Sequence, residues 1–139
     1  MRLLFYIILS LSFYSCKQKD NKITEKSELV SNFTGKWAFY GNDEQFLLTI
    51  ASNSTGLTGN YCYVTQQSAI IDCLDSIPNF IYLDDIKDSC FTTKFRTGYG
   101  KNFGIIRICK IGKNKIKYDI LDIPDGEFYC PHNKILKRI

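Results

Sequence analysis

The sequence predicts an all-β domain, a small antiparallel meander barrel or sandwich of seven to eight strands. Three observations carry that reading. Apolar residues recur with period two, turn-forming clusters interrupt them roughly every ten to fifteen residues, and only three alanines occur among 139 residues, which disfavours a helical bundle. The length suits one domain rather than two. Abundant aliphatic and aromatic residues, 14% of the chain being Phe, Trp or Tyr, argue against wholesale disorder.

Met1 and Arg2 start the chain with a positive charge, and Leu3 to Tyr14 is an apolar run of twelve residues. Twelve residues of helix span about 18 Å, short of a ~30 Å hydrocarbon core, so the run is expected to be a signal-peptide core rather than a membrane span. It ends in Ser15-Cys16 and is followed by Lys17-Gln18-Lys19-Asp20. A small residue directly before Cys resembles a bacterial lipobox. That resemblance implies cleavage before Cys16, acylation of Cys16 with palmitate-type chains, and a lipid anchor in the bacterial cell envelope. Lys17 after the Cys implies the outer membrane. A plainly secreted protein is the other reading. The domain plan is therefore a lipoprotein signal peptide over 1–16, a polar tether over 17–31 and a β-domain over 32–139.

Within the domain, Phe46, Leu48 and Ile50 alternate with polar or outward neighbours, as do Phe91, Thr93 and Phe95, and Ile116, Tyr118 and Ile120. Turn chemistry at 41–43, 53–56, 66–69, 98–100 and 112–114 separates such segments, so the strands should pair as hairpins. Five cysteines follow Cys16, and an exported chain meets an oxidising compartment. Partners across an antiparallel hairpin keep a constant index sum. Cys62 and Cys73 are centred on the 66–69 turn, and Cys90 and Cys109 on the 98–100 turn. The expected disulfides are Cys62–Cys73 and Cys90–Cys109, with Cys130 paired to neither.

Gly35-Lys36-Trp37 opens the first strand and resembles a lipocalin start, in which the Trp closes one barrel end; a core Trp on strand one is the plainer reading. Gly59-Asn60-Tyr61-Cys62, Ile71-Asp72-Cys73 and Gly126-Glu127-Phe128-Tyr129-Cys130-Pro131 together resemble a group of small uncharacterised bacterial envelope lipoproteins. The resemblance implies a β-domain at the envelope and assigns no active site.

One histidine, His132, follows Cys130, and this pair could suggest a thiol–imidazole couple or half a metal site. Two ligands are too few for zinc, and no orienting third group or oxyanion site accompanies them. Asp84, Asp85 and Asp88 lack calcium-loop spacing and read as a solvated strand end. No catalytic residue, metal or cofactor is therefore expected. Net charge is +4, too mild for a dedicated nucleic-acid binder. The layout is sharper: eight bases and no acid lie between Lys94 and Lys117. The hairpin register pairs Thr92 with Arg107, Lys94 with Ile105 and Arg96 with Phe103. Lys94, Arg96 and Arg107 thus share the face opposite Phe91, Phe95, Ile106 and Ile108, a candidate dock for an acidic protein or anionic glycolipid. The expected function is a non-enzymatic envelope lipoprotein whose rigid β-domain binds protein, with an inhibitor or immunity role in view. The alternative is a lipocalin-like carrier of a small apolar ligand. An interior filled by Phe46, Tyr61, Tyr63, Phe91 and Phe95 would favour the first, a hollow one the second.

Overall fold

A computed structural model describes residues 28–53, 56–65, 70–74, 81–82, 86–87 and 89–139. The expected signal peptide, Cys16, most of the expected tether, the turn tip at 66–69 and the acids Asp84, Asp85 and Asp88 lie outside the described residues. A short helix, α1, covers 28–33. It packs Leu29 and Val30 against the core and buries Phe33 completely, so the expected boundary at 31/32 falls inside an element of the folded domain.

Nine strands follow: β1 (Gly35–Tyr40), β2 (Glu44–Ser52), β3 (Gly56–Thr65), β4 (Ile71–Leu74), β5 (Ile81–Tyr82), β6 (Cys90–Phe95), β7 (Gly104–Gly112), β8 (Lys115–Asp122) and β9 (Lys134–Arg138). Eight of them form one path in the order β4-β3-β2-β1-β9-β8-β7-β6, and the two-residue β5 pairs with β3 off that path. Every described pairing between strands is antiparallel. The expected all-β meander is therefore a single curled half-barrel sheet rather than two stacked ones. The first and last strands meet in its middle, through Trp37 opposite Arg138 and Ala38 opposite Lys137.

Period two becomes inside and outside. Phe46, Leu48 and Ile50 on β2, Phe91 and Phe95 on β6, Ile106 and Ile108 on β7, and Ile116 and Tyr118 on β8 all point inward and are buried. Fully burying a side chain of this size contributes roughly 1.5–3 kcal/mol, so the concave face of the sheet supplies most of the stability. Gly104 lets this packing close: a Cβ there would lie 2.5 Å from Phe95 Cε1.

Different segments plug the two ends of the barrel. At one end, α1 stacks Phe33 edge-on to Phe91, with centroids 4.9 Å apart, and Phe33 O accepts the Trp37 indole N–H at 2.8 Å. At the other, the 123–133 connection between β8 and β9 sets Phe128 edge-on to Phe95 and Tyr129 edge-on to Tyr99. An isolated bridge, Gly100 to Gly126, and the Lys101 N–H bond to Asp125 O fix that connection to the 96–103 loop.

Both expected disulfides are present, Cys62–Cys73 and Cys90–Cys109, and Cys130 is a buried free thiol. Each bridged pair is directly opposed in its hairpin, and each joins a terminal strand of the sheet path to its only path neighbour. The bridged residues are 11 and 19 positions apart, and closing loops of this size is worth roughly 3 kcal/mol each on the chain-entropy account. Reduction with a strong thiol should therefore lower the melting temperature markedly, and scanning calorimetry with and without reductant checks it. Cys62→Ala/Cys73→Ala should reproduce part of the loss without reductant.

Candidate functional site

The β6–β7 ladder pairs Thr92 with Arg107 and Lys94 with Ile105, ending at Phe95 opposite Gly104. Lys94, Arg96 and Arg107 are exposed, on the side away from buried Phe91, Phe95, Ile106 and Ile108. The expected third rung, Arg96 opposite Phe103, is absent. The chain leaves the strand after Phe95, where Tyr61 and Asp72 engage the backbone of Arg96 and Gly98. The face is also less purely basic than the chain order suggests. Asp119, directly opposite Arg107 on β8, lies 3.5 Å from the Arg107 guanidinium and 3.0 Å from Lys117 Nζ. Lys94 and Arg96 form no ion pair among the described residues, and are its available cations.

Behind this face, inside the barrel, sits a buried polar cluster. Asp72 on β4 is 0% exposed. Its Oδ1 accepts the Tyr61 hydroxyl at 3.0 Å and the Gly98 backbone N–H at 2.9 Å, and the Cys130 thiol faces Oδ2 at 3.9 Å. The Tyr61 hydroxyl also lies 3.3 Å from Arg96 O, and the Tyr99 hydroxyl donates to Ile71 O at 3.1 Å. No backbone ladder joins β4 to β6 among the described residues. These side-chain bonds bridge the two edges instead. Gly98 permits the approach, since a Cβ there would meet Asp72 Oδ1 at 3.2 Å.

The cluster explains the sequence motifs. Adjacent strand residues face opposite sides, so Cys62 and Cys73 meet outside while Tyr61 and Asp72 meet inside. The Gly126–Pro131 segment then delivers Cys130 to the same carboxyl group. Burial pushes the Cys130 thiol up to about 12, leaving it protonated at neutral pH. Burial likewise raises the Tyr61 and Tyr118 phenols well above their usual range. A thiol of this kind is a weak donor and a poor nucleophile. His132 is exposed, with its ring edge-on to Phe128 at 5.3 Å, so Cys130 and His132 face different surroundings. Among the described residues no three His, Cys, Asp or Glu side chains gather as a metal site.

Two further arrangements were not foreseen. Trp37 carries a cation on its ring from each of two strands, Lys110 Nζ at 4.7 Å and Arg138 at 4.3 Å from the centroid. Arg138 donates to Thr34 O, Ser31 O and Asn32 O, and Lys110 to Asn32 O. These bonds occupy carbonyls at the C-terminal end of α1, where a helix leaves acceptors unpaired. Burial, with Arg138 beside it, holds the Lys110 ammonium below the usual lysine range. At the opposite end of β1, Lys134 lies over the Phe39 ring and donates to Glu44 Oε1 at 2.6 Å, and the Tyr63 hydroxyl donates to Glu44 Oε2. Gly35-Lys36-Trp37 was a visible signal for the first arrangement; its cationic partners stand far along the chain.

Comparison with known protein families, with curated proteins and with solved structures finds no match to this chain.

Asp72→Ala leaves the Gly98 N–H without its acceptor and the Tyr61 hydroxyl with only its longer bond to Arg96 O, and each group left buried and unpaired costs about 1–3 kcal/mol. Urea denaturation should show a loss of about 2–5 kcal/mol, and Asp72→Asn, which keeps an acceptor at Oδ1, should lose less. Glu44 gives a pH signature. The Lys134 ammonium, bonded to it, and then the Tyr63 hydroxyl outweigh burial and hold its carboxyl below the ordinary 4.5. A carboxyl lowered by folding adds stability above its unfolded value, and that stability is lost as pH falls through the folded value. Stability measured downward from pH 5 should therefore fall less steeply in Glu44→Gln than in the parent chain.

Proposed function

We propose that this protein is a non-enzymatic, lipid-anchored envelope protein whose rigid β-domain presents its outer face to a protein partner, in the manner of an inhibitor or immunity protein. The observation that carries the reading is the filled interior. Phe46, Tyr61, Tyr63, Phe91 and Phe95 are all buried in one core cluster with Trp37 and Tyr118, in the space where a carrier would hold its ligand. Rings packed against one another in this way, Phe46 with Tyr61, Tyr63 and Tyr118, leave binding to the outer surface. Two disulfides and two plugged ends hold that surface in shape, which lowers the entropy lost on association. The partner surface is acidic, because Lys94 and Arg96 offer cations with no ion pair among the described residues.

Capture of proteins from an envelope extract by the immobilised full chain tests this. Reversing Lys94 and Arg96 to Glu should reduce capture of an acidic partner about tenfold or more, and raised salt should slow its association, because exposed charges are screened beyond about 8 Å. Capture unchanged by the double variant would remove the face from the reading. Intact mass of the mature chain checks the anchor: acyl chains on an N-terminal Cys16 are expected.

A further inference from the structure

We infer that the outer face of β1, β9 and the β7–β8 turn is a membrane-docking surface, built to sit on the anionic headgroups of the bilayer that holds the chain. The inference rests on the proposed lipidation of Cys16, and it concerns a part of the surface separate from Lys94 and Arg96.

The first observation is an unpaid electrostatic cost. Lys115 on β8 and Lys137 on β9 are directly opposed across the ladder, and both are exposed. Like charges facing each other across strands destabilise a sheet. Lys36 and Lys113 stand exposed nearby: Ile139 N–H donates to Lys36 O, and Arg138 N–H donates to Asn114 O. None of these four lysines forms an ion pair among the described residues. Four cations gathered with no acidic side chain bonded to them among the described residues suit an external anion.

The second observation is the apolar surface set among them. Strands β1 and β9 share only two rungs, and beside them lies an open groove of about 590 Å3 lined by Ala38, Tyr40, Lys115, Ile135, Lys137 and Ile139. A second groove, lined by Ile111 and Lys113, shares Lys115, Lys137 and Arg138 with it. Tyr40 is 61% exposed, Ile139 63%, Ile135 50% and Ile111 47%. Aliphatic and aromatic side chains interleaved with lysines suit the headgroup zone, where apolar groups enter the acyl boundary and cations meet phosphate.

The third observation is where the chain enters. Arg138 lines both grooves and holds Ser31 O and Asn32 O at the end of α1. Residues 17–27, between Cys16 and α1, span at most about 3.5 Å each, so a bilayer holding Cys16 lies within about 40 Å of the start of α1. That proximity favours a membrane over a diffusing acidic protein.

The test uses the full chain, expressed in a host that lipidates it, purified in detergent and reconstituted into vesicles of phosphatidylcholine or of equal parts phosphatidylcholine and phosphatidylglycerol. Ile111→Trp supplies a reporter, read by quenching with brominated acyl chains against the buried Trp37 background. Quenching should be strong in anionic vesicles, weak in neutral ones and reversed by salt. Adding Lys115→Glu, which sets a Glu opposite Lys137 and so preserves the fold, should reduce quenching several-fold. A chain that floats with vesicles but shows equal quenching in both, or none, overturns the docking surface alone. Binding of poly-glutamate without quenching in vesicles assigns the patch to an acidic protein and also overturns it. A chain that floats with neither vesicle overturns the lipid anchor, and the docking surface with it.

Discussion

The architecture depends on one carboxyl group, that of Asp72. A curled sheet of eight strands ends in two edges, and each edge presents unpaired backbone groups. Among the described residues the edges do not join through a ladder. Asp72 on β4 instead takes the Gly98 N–H from beyond β6 and the Tyr61 hydroxyl from β3, while facing the Cys130 thiol from the 123–133 connection. A polar group buried without partners would be costly, and this one is tolerated because three separate segments bring donors to it. The position of β4, the path of the loop after β6 and the seating of the C-terminal plug are thereby coupled.

What was legible in the sequence is what neighbours along the chain decide. Alternation fixes inward and outward residues, and the turns fix hairpin centres, so the registers of Cys62 with Cys73 and Cys90 with Cys109 could be computed from index sums. Lys94 and Arg107 were placed on one face by the same arithmetic. The method stops where a strand ends for a non-local reason: the Arg96–Phe103 rung is lost to bonds from Tyr61 and Asp72, whose strands pair elsewhere. Asp119 beside Arg107 is invisible to a count of charges along the chain, because only the ladder brings β8 alongside β7. Arg138 and Trp37 are a hundred positions apart, and no local pattern connects a C-terminal arginine to an N-terminal indole. The helical turn over 28–33 was hidden in a polar stretch, because its role is set by Phe33 and by the carbonyls that Arg138 and Lys110 occupy.

The covalent and non-covalent ties are divided sensibly between the two faces. Both disulfides lie on the convex side and bind the outermost hairpins, the parts of the sheet with fewest backbone neighbours. The concave side is given over to packing, with aromatic side chains from five of the nine strands and from α1 meeting in one cluster or against it. Such a domain has little room to breathe inward, and its unpaired cations lie on the outer surface. There the cations divide into those already neutralised, as around Asp119 and Glu44, and those left open.

The meeting of β1 with β9 has a kinetic consequence. The first strand of the domain cannot acquire its second neighbour until the last strand has been synthesised, so the chain must keep β1 competent while the intervening residues assemble. Local hairpins can form within microseconds, but the closing contact joins sites at opposite ends of the chain, and non-local pairings of this kind slow folding. On contact order alone, the hairpins bearing the cysteines are expected to form before the Trp37–Arg138 junction. During that interval, the exposed flank of β1 is the part of the nascent protein most open to a wrong partner.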